Sequence, residues 1–196
     1  MPIKDHCGLA CADAEEELPP FWVHMVGSDG VRIADIPDRG RYVHIQVDPH
    51  IAVLAITQAR MIGKRNPELA FGYDHPEGVF TEDGELANAE EFAGLTCSTF
   101  VLAVLDSVAI RLMDYATVAE KTDPQERAED SAMLEKLAVN APTPEKAEAL
   151  RRRSRVRPIR VRPIEVMAAA ASHEGEEACD YQTATEIGRD LESHFE

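Results

Sequence analysis

The sequence contains no apolar run close to the roughly 18 residues that a membrane-spanning helix needs. Acidic residues stand near its N-terminus, where a signal peptide would be continuously apolar. Its four cysteines include no Cys-x-x-Cys pair and show no even spacing, which argues against a secreted disulfide framework and a structural zinc site. Cys7 and Cys11, four residues apart on a predicted strand, lie about 13 Å apart and cannot share an ion. We therefore predict a cytoplasmic protein with reduced thiols, no transmembrane segment, no metal and no cofactor.

Basic residues are the minority, because 36 Asp and Glu stand against 20 Lys and Arg and give a formal net charge of −16. Residues 1–120 hold only 8 of these bases, and 7 of the other 12 are arginines between Arg151 and Arg162. A nucleic-acid-binding domain would carry a basic footprint over its whole surface, so the composition excludes a general nucleic-acid binder. With 44% hydrophobic residues the chain can form a core. We predict a folded domain over residues 1–120 and a charged C-terminal appendage over residues 121–196.

Three short segments near the N-terminus, HCGLACAD, FWVHMV and VRIADI, are rich in branched, aromatic or small residues and are separated by turn-forming stretches. They predict a three-stranded antiparallel meander. RYVHIQV, with Val43, Ile45 and Val47 on one face, predicts a further strand. Asp48 followed by Pro49 predicts the start of a helix, and the helical spacing of apolar residues continues to Gly63.

The segment TCSTFVLAVLDSVAIRLMDY is apolar nearly all round, which is typical of a helix buried at the centre of a domain. Thr96 is a suitable N-cap, so Cys97 falls in the first turn of this helix. Residues 66–88 are polar and irregular and suit the rim of a site. These elements predict an α+β fold in which a small antiparallel sheet packs against helices.

The C-terminal appendage is predicted to be helical and extended. Helices are expected over residues 125–139 and 145–153, and an amphipathic helix through Ile187 and Leu191. The two prolines of VRPIRVRPIEV exclude a long helix in that motif and make it an unsuitable central strand.

The candidate catalytic group is a cysteine thiolate. A helix N-terminus stabilises a thiolate through its unpaired N–H groups and the positive end of its dipole, which favours Cys97. If the first two strands pair antiparallel, His6 lies opposite His24 on the face that also carries Gly8. A helix packed on that face would assemble a thiol, a base in His6 and an orienting group in His24. The alternative is a buried, inert Cys97 and two ordinary histidines on a half-exposed sheet.

These residues carry a family resemblance. HCGLACAD followed by FWVHMVGSDGVRI resembles the His strand and the next strand of circularly permuted papain-like hydrolases of the NlpC type, in which the catalytic His precedes the Cys. The chain is also similar to the lecithin:retinol acyltransferase-like proteins, whose Asn-Cys-x-x-Phe-Val helix is matched here by TCSTFV. GYDHPEGVF resembles the Tyr-Asp element that precedes the Cys helix. The resemblance covers roughly residues 3–115.

The resemblance implies a permuted papain-like fold with a Cys97, His6 and His24 triad. Residues 1–120 would then be the catalytic domain. The backbone N–H of Cys97, at the helix start, is one candidate donor for an oxyanion hole. Tyr73 is a second candidate by resemblance, or else a rim aromatic. Ser98 is a candidate substrate-binding residue, or else a capping or helix-surface hydroxyl.

We therefore expect a thiol hydrolase that cleaves an amide, peptide or ester bond through an acyl-cysteine intermediate. One alternative keeps the triad and transfers the acyl group to an amine or alcohol, as an acyltransferase does. Another is a catalytically inactive scaffold or binding protein that has kept the fold. The sequence does not identify the substrate.

The arginine segment over residues 151–162 has two interpretations. It could contact an anionic partner, such as a phospholipid head group, a nucleic acid or an acidic protein, through Arg151, Arg152, Arg153, Arg155 and Arg157. It could instead compensate the acidic body of the same chain, or that of a second copy in a homo-oligomer.

Overall fold

A short antiparallel sheet and a set of helices make up the described part of the chain. The computed structural model describes residues 6–12, 19–26, 30–38, 40–89, 92–118, 124–141, 143–155, 160–173 and 177–193. Within these ranges lie three strands, β1 (Gly8–Cys11), β2 (Phe21–Met25) and β3 (Val31–Ala34), and six α-helices, α1 (Pro49–Arg65), α2 (Cys97–Asp106), α3 (Pro124–Val139), α4 (Pro144–Arg155), α5 (Pro163–Ser172) and α6 (Tyr181–Ser193). The predicted α+β class and the meander are confirmed.

The sheet has the order β1-β2-β3, with both pairs antiparallel. The predicted register was wrong by two residues, because His24 pairs with Gly8 and not with His6. Gly8 suits this position, since a Cβ there would lie 2.0 Å from Trp22 Nε1. A shift by an even number of residues leaves every strand side chain on its predicted face. His6 precedes β1, and its ring lies on the same side of the sheet as that of His24 because the two are hydrogen-bonded.

The predicted strand RYVHIQV is not a strand of this sheet. Its one assigned residue is an isolated β-bridge at Gln46. The predicted alternation is nevertheless present, because Val43, Ile45 and Val47 are partly buried while the residues between them are exposed. One side of the segment therefore packs against the core of the protein.

Helix α1 begins as predicted and ends two residues later than predicted. The carboxylate of Asp48 accepts a hydrogen bond of 2.8 Å from the N–H of His50, and Pro49 occupies the first helical position. The helix continues past Gly63, which packs against Ile33 and Val23 without ending it. Lys64 and Arg65 then occupy the last turn, where cations suit the helix dipole.

Helix α2 is the centre of the molecule, with all of its residues from Ser98 to Leu105 buried. One side packs on the sheet in a first core cluster that joins Phe100, Ala103 and Val104 to Val23 and Met25. The other side packs on α5 in a second core cluster that joins Val101, Leu102 and Leu105 to Val166, Ala169 and Ala170. A helix with partners on both sides has no polar face to expose, which explains its uniformly apolar sequence.

The helix is shorter than its apolar sequence predicts. It ends at Asp106, and the chain turns through Ala109 at φ 61°. Ile110, Leu112 and Met113 then return to the second core cluster. The apolar run thus continues as buried irregular chain rather than as further turns of helix.

The predicted helices of the C-terminal region are confirmed within one or two residues for α3 and α4. The two pack together over a third core cluster consisting of Tyr73, Ala93, Leu134, Ala138, Ala149 and Leu150. In the doubled VRPI motif, Pro163 is the first residue of α5, a position where a missing N–H costs nothing. No helix of the described residues is both long and apolar enough to cross a membrane.

A buried ion pair joins α4 to the loop that precedes α2. The carboxylate of Asp74 accepts hydrogen bonds from the backbone N–H groups of Ala93 and Gly94. It also accepts a bond of 2.9 Å from Arg153 Nε. The Asp74 side chain is only 7% exposed and that of Arg153 33%, so this pair is shielded from water far more than a surface salt bridge.

We expect Asp74→Ala to lower the free energy of unfolding by about 3 kcal/mol, because removing one partner of a buried pair leaves the other charge and two N–H groups unsatisfied. Urea unfolding would measure the change. Arg65→Ala is the matched control, since it breaks the pair with Glu85, in which the side chains are 44% and 70% exposed, and should cost less than about 1 kcal/mol. Equal losses in the two variants would contradict the structural role of Asp74.

Candidate active site

The N-terminus of α2 presents Cys97 as the first residue of the helix. Thr96 is the N-cap, as predicted, and its Oγ1 accepts a hydrogen bond of 3.1 Å from the N–H of Thr99. The Thr99 hydroxyl in turn accepts one of 2.9 Å from the N–H of Thr96, which completes a capping box. This reciprocal cap fixes where the helix begins and holds the sulfur beside the positive end of the helix dipole.

His6 and His24 form a hydrogen-bonded pair beside Cys97, at the N-terminus of α2. Nε2 of His6 lies 2.8 Å from Nδ1 of His24, and the two rings meet edge to face with centroids 5.0 Å apart. The structure therefore brings the two histidines together as predicted. It does so diagonally across the strand pair, because Gly8 occupies the position opposite His24.

Trp22 packs against both histidines. Its ring is stacked on that of His6 at 6.2 Å and meets that of His24 edge to face at 5.1 Å. The missing side chain of Gly8 makes room for the indole. Trp22 Nε1 is buried and has no hydrogen-bond partner within the described ranges. The indole thus covers the imidazole pair with apolar surface and restricts the orientations of both rings.

The environment of Cys97 lowers the pKa of its thiol from 9.0 to about 4. The largest cause is a hydrogen bond from the Cys7 thiol, and burial opposes the shift. A hydrogen bond and the charge of His6, together with the backbone N–H of Cys7, lower the pKa further. These contacts therefore favour the thiolate form of Cys97, and His6 is one of the groups that stabilise it.

The pKa of His24 is shifted in the direction that keeps its ring neutral. Burial lowers this pKa first, and the charge of His6 lowers it further, while the charge of Cys97 acts in the opposite direction. A neutral His24 can accept the Nε2–H of His6 at Nδ1. The pair is thus suited to a hydrogen bond in which His6 donates and His24 accepts.

Cys7 is the site residue that sequence reasoning missed. Its sulfur lies 3.7 Å from the hydroxyl of Ser98, and its hydrogen bond to Cys97 and burial raise the pKa of its thiol well above the ordinary value. Strand alternation would direct Cys7 and His6 to opposite faces. Both precede Gly8, the first residue of β1, so that alternation does not govern them.

The two predicted substrate-binding residues occupy different places. Ser98 is buried and bonded to Cys7, directly beside Cys97. Tyr73 is buried in the third core cluster, its ring 6.0 Å from that of Phe71, and burial raises the pKa of its hydroxyl. Its participation in an oxyanion hole remains a prediction.

Four of the described arginines of the 151–162 segment contact carboxylates of the same chain. Besides the Arg153 pair with Asp74, Arg151 lies 3.9 Å from Glu135, Arg160 lies 2.9 Å from the buried Asp130 and Arg162 lies 2.9 Å from the buried Glu165. The contacts of Arg151 and Arg153 are of the kind that charge compensation within the chain predicts, and binding of an anionic partner by the segment stays a prediction. Arg157 lies outside the described residues.

A pocket of about 320 Å³ lies beside the ion pair of Asp74 and Arg153. It is lined by Asp74, His75, Glu77, Gly78, Val79, Asn88, Phe92, Ala93, Ala149, Arg152 and Arg153. Several of these lining residues, from Asp74 to Asn88, belong to the irregular segment over residues 66–88 that the sequence predicts to form the rim of a site. Cys97, His6 and His24 are not among the described residues that line it.

The comparisons with known proteins add no family. No protein-family model matches the chain, and neither the curated proteins nor the solved structures contain a significant match.

Proposed function

We propose that this protein is a thiol hydrolase that cleaves an amide, peptide or ester bond through an acyl-Cys97 intermediate. One observation carries the proposal: a cysteine at a helix N-terminus, with its pKa lowered to about 4, is hydrogen-bonded to His6, and Nε2 of His6 lies 2.8 Å from a second imidazole. Nucleophile, base and orienting group in this order are what nucleophilic acyl transfer requires. A structural cysteine has no need of an ionised state.

The acylation step follows from the hydrogen bonds. Because Nε2 of His6 is bonded to His24, Nδ1 is the nitrogen available to the sulfur and to the leaving group. The Cys97 thiolate attacks the carbonyl carbon, and the developing oxyanion is stabilised by N–H groups at the start of α2, that of Cys97 first. His6 then protonates the departing amine or alcohol as a general acid.

Deacylation reverses the roles of the same groups. Neutral His6 removes a proton from water as the water attacks the thioester, and Cys97 leaves as the thiolate. His24 accepts the Nε2–H of His6 and so holds the ring in one orientation through both steps. The Trp22 indole limits rotation of the pair. Hydrolysis therefore needs no group beyond the three side chains, the helix start and water.

The chain order supports a permuted papain-like arrangement for this enzyme. The strand that follows His6 comes before the helix that begins with Cys97, which is the order of the permuted hydrolases that the sequence resembles. Residues 121–196 then form an appendage whose α5 supports the back of the catalytic helix. A reducing compartment such as the cytoplasm suits the enzyme, because its nucleophile must stay reduced.

We expect alkylation of Cys97 by iodoacetamide to be nearly independent of pH above about 5 and to fall as the pH drops through about 4, because the thiolate becomes protonated there. His6→Ala should raise this midpoint toward the free-thiol value of about 8.5. Mass spectrometry of quenched samples would give the rate at each cysteine. Cys11, whose burial raises its pKa to about 12, is the internal control and should stay unlabelled. A Cys97 rate that rises tenfold per pH unit near neutrality would contradict the ion pair.

We expect p-nitrophenyl acetate to acetylate Cys97 with a burst of nitrophenol equal to the enzyme concentration, followed by slower turnover. His6→Ala should reduce acetylation by about 10²–10⁴-fold, the usual contribution of a general acid–base group. His24→Ala should reduce it less, and His24→Asn should recover part of the loss, because an amide oxygen can accept the same hydrogen bond. His44→Ala is the matched control, since His44 is exposed.

An added amine separates hydrolysis from acyl transfer in the same assay. If the amine captures the acetyl group only in proportion to its chemical reactivity, the enzyme is a hydrolase. If capture saturates with amine concentration, a second-substrate site exists and the acyltransferase alternative is correct. Absence of any acetyl group on Cys97 in the folded protein would sink both.

A further inference from the structure

A second cysteine lies against the nucleophile. The sulfur of Cys7 lies 3.7 Å from the Ser98 hydroxyl, and its S–H donates a hydrogen bond to the sulfur of Cys97. Both cysteines are partly buried, and none of the four cysteines, all within the described ranges, is in a disulfide. The two sulfurs are therefore neighbours that come from opposite ends of the folded domain, one just before β1 and the other at the start of α2.

The catalytic cycle does not use Cys7 as a reacting group. Its contacts with Cys97 and its burial keep it a protonated thiol, so it cannot compete with Cys97 for a carbonyl. Its hydrogen bond to the thiolate could be supplied equally by a serine hydroxyl. What a thiol adds at this position, and a hydroxyl cannot, is the capacity to form a bond to an oxidised sulfur.

We propose that Cys97 and Cys7 form a reversible disulfide when a hydroperoxide oxidises the site, with Cys97 as the reacting sulfur and Cys7 as the resolving one. The Cys97 thiolate attacks the terminal oxygen of the hydroperoxide and the O–O bond breaks. The alkoxide or hydroxide that leaves takes up one proton from solvent and becomes an alcohol or water. Cys97 is then a sulfenic acid. The Cys7 sulfur attacks it, the S–O bond breaks, and the Cys7 proton leaves with the hydroxyl group as water.

Cys7 lies outside the hydrogen-bonded part of the sheet. A disulfide needs its sulfurs about 2.05 Å apart, so the two thiols must approach from hydrogen-bonding distance. Cys7 precedes Gly8, where the ladder of β1 begins, so it can shift without breaking a strand pair. The other two cysteines are held elsewhere: Cys11 is buried in the first core cluster, and the backbone of Cys179 is bonded to that of Leu112 and Asp114.

The disulfide would protect Cys97 from further oxidation and would inhibit the proposed hydrolase activity. It prevents further oxidation of Cys97 to sulfinic acid, which thiols do not reverse, and an external dithiol restores both thiols as it is itself oxidised. Loss of hydrolase activity on oxidation rests on the proposed function. Formation of the disulfide does not, because it needs only the thiolate and its neighbour.

The test uses the full chain treated with one equivalent of hydrogen peroxide, followed by alkylation and peptide mapping without reduction. We expect a peptide that links Cys7 to Cys97, loss of Cys97 alkylation, and recovery of that alkylation with dithiothreitol. Cys179→Ser is the matched control and should give the same link. Cys7→Ser, which keeps a hydrogen-bond donor, should instead give a Cys97 sulfenic acid that dimedone traps and that excess peroxide converts irreversibly.

A wild-type protein that goes directly to a Cys97 sulfinic acid, with no linked peptide, would overturn the proposal. So would a link from Cys97 to Cys11 or Cys179. The same samples assayed with p-nitrophenyl acetate keep the two proposals apart. A linked peptide without any acetylation in the reduced protein refutes the hydrolase and leaves the disulfide standing. Acetylation without a link does the reverse.

Discussion

The packing of α2 between the sheet and α5 is the constraint on which the site depends. The helix is buried on both sides, so it can neither slide nor rotate without opening two core clusters. Its first residue is therefore held in a fixed position relative to β1 and β2. The capping box of Thr96 and Thr99 fixes the residue at which this rigid helix begins, and so fixes the position of the Cys97 sulfur. A cysteine on a loop would not be held in this way.

The electrostatics of the site follow from this packing. A buried helix end carries a partial positive charge in a region with little water, and the field there is stronger than at a surface. The hydrogen bond from Cys7 and the contacts with His6 lower the pKa of Cys97 to about 4 against its burial, whereas the contacts with Cys97 and burial raise the pKa of Cys7. Burial and then the charge of His6 lower the pKa of His24. The pKa values of the two neighbouring thiols are thus shifted in opposite directions.

Local patterns predicted much of the fold and the candidate site. Short segments contain the information that predicted the three strands, the cap at Thr96 and the proximity of His6 and His24, because these features depend on alternation, capping chemistry and the antiparallel pairing of neighbouring strands. A short segment does not contain the information that sets the register of β1 with β2, because this register depends on how the Trp22 indole packs over Gly8. Cys7 was missed for a related reason, since alternation ends where the strand ends. The burial of Tyr73 depends on α3 and α4, which are distant in sequence.

The buried pair of Asp74 and Arg153 has a consequence for how this molecule can change over generations. The acid lies in the loop ahead of Cys97 and its base lies in α4, so the two partners of this pair come from opposite sides of residue 120. Recombination that exchanged residues beyond 120 for an unrelated segment would leave the Asp74 carboxylate buried without its cation. The residues beyond 120 are therefore not a module that can be exchanged freely, and the two parts of the chain are expected to be inherited together.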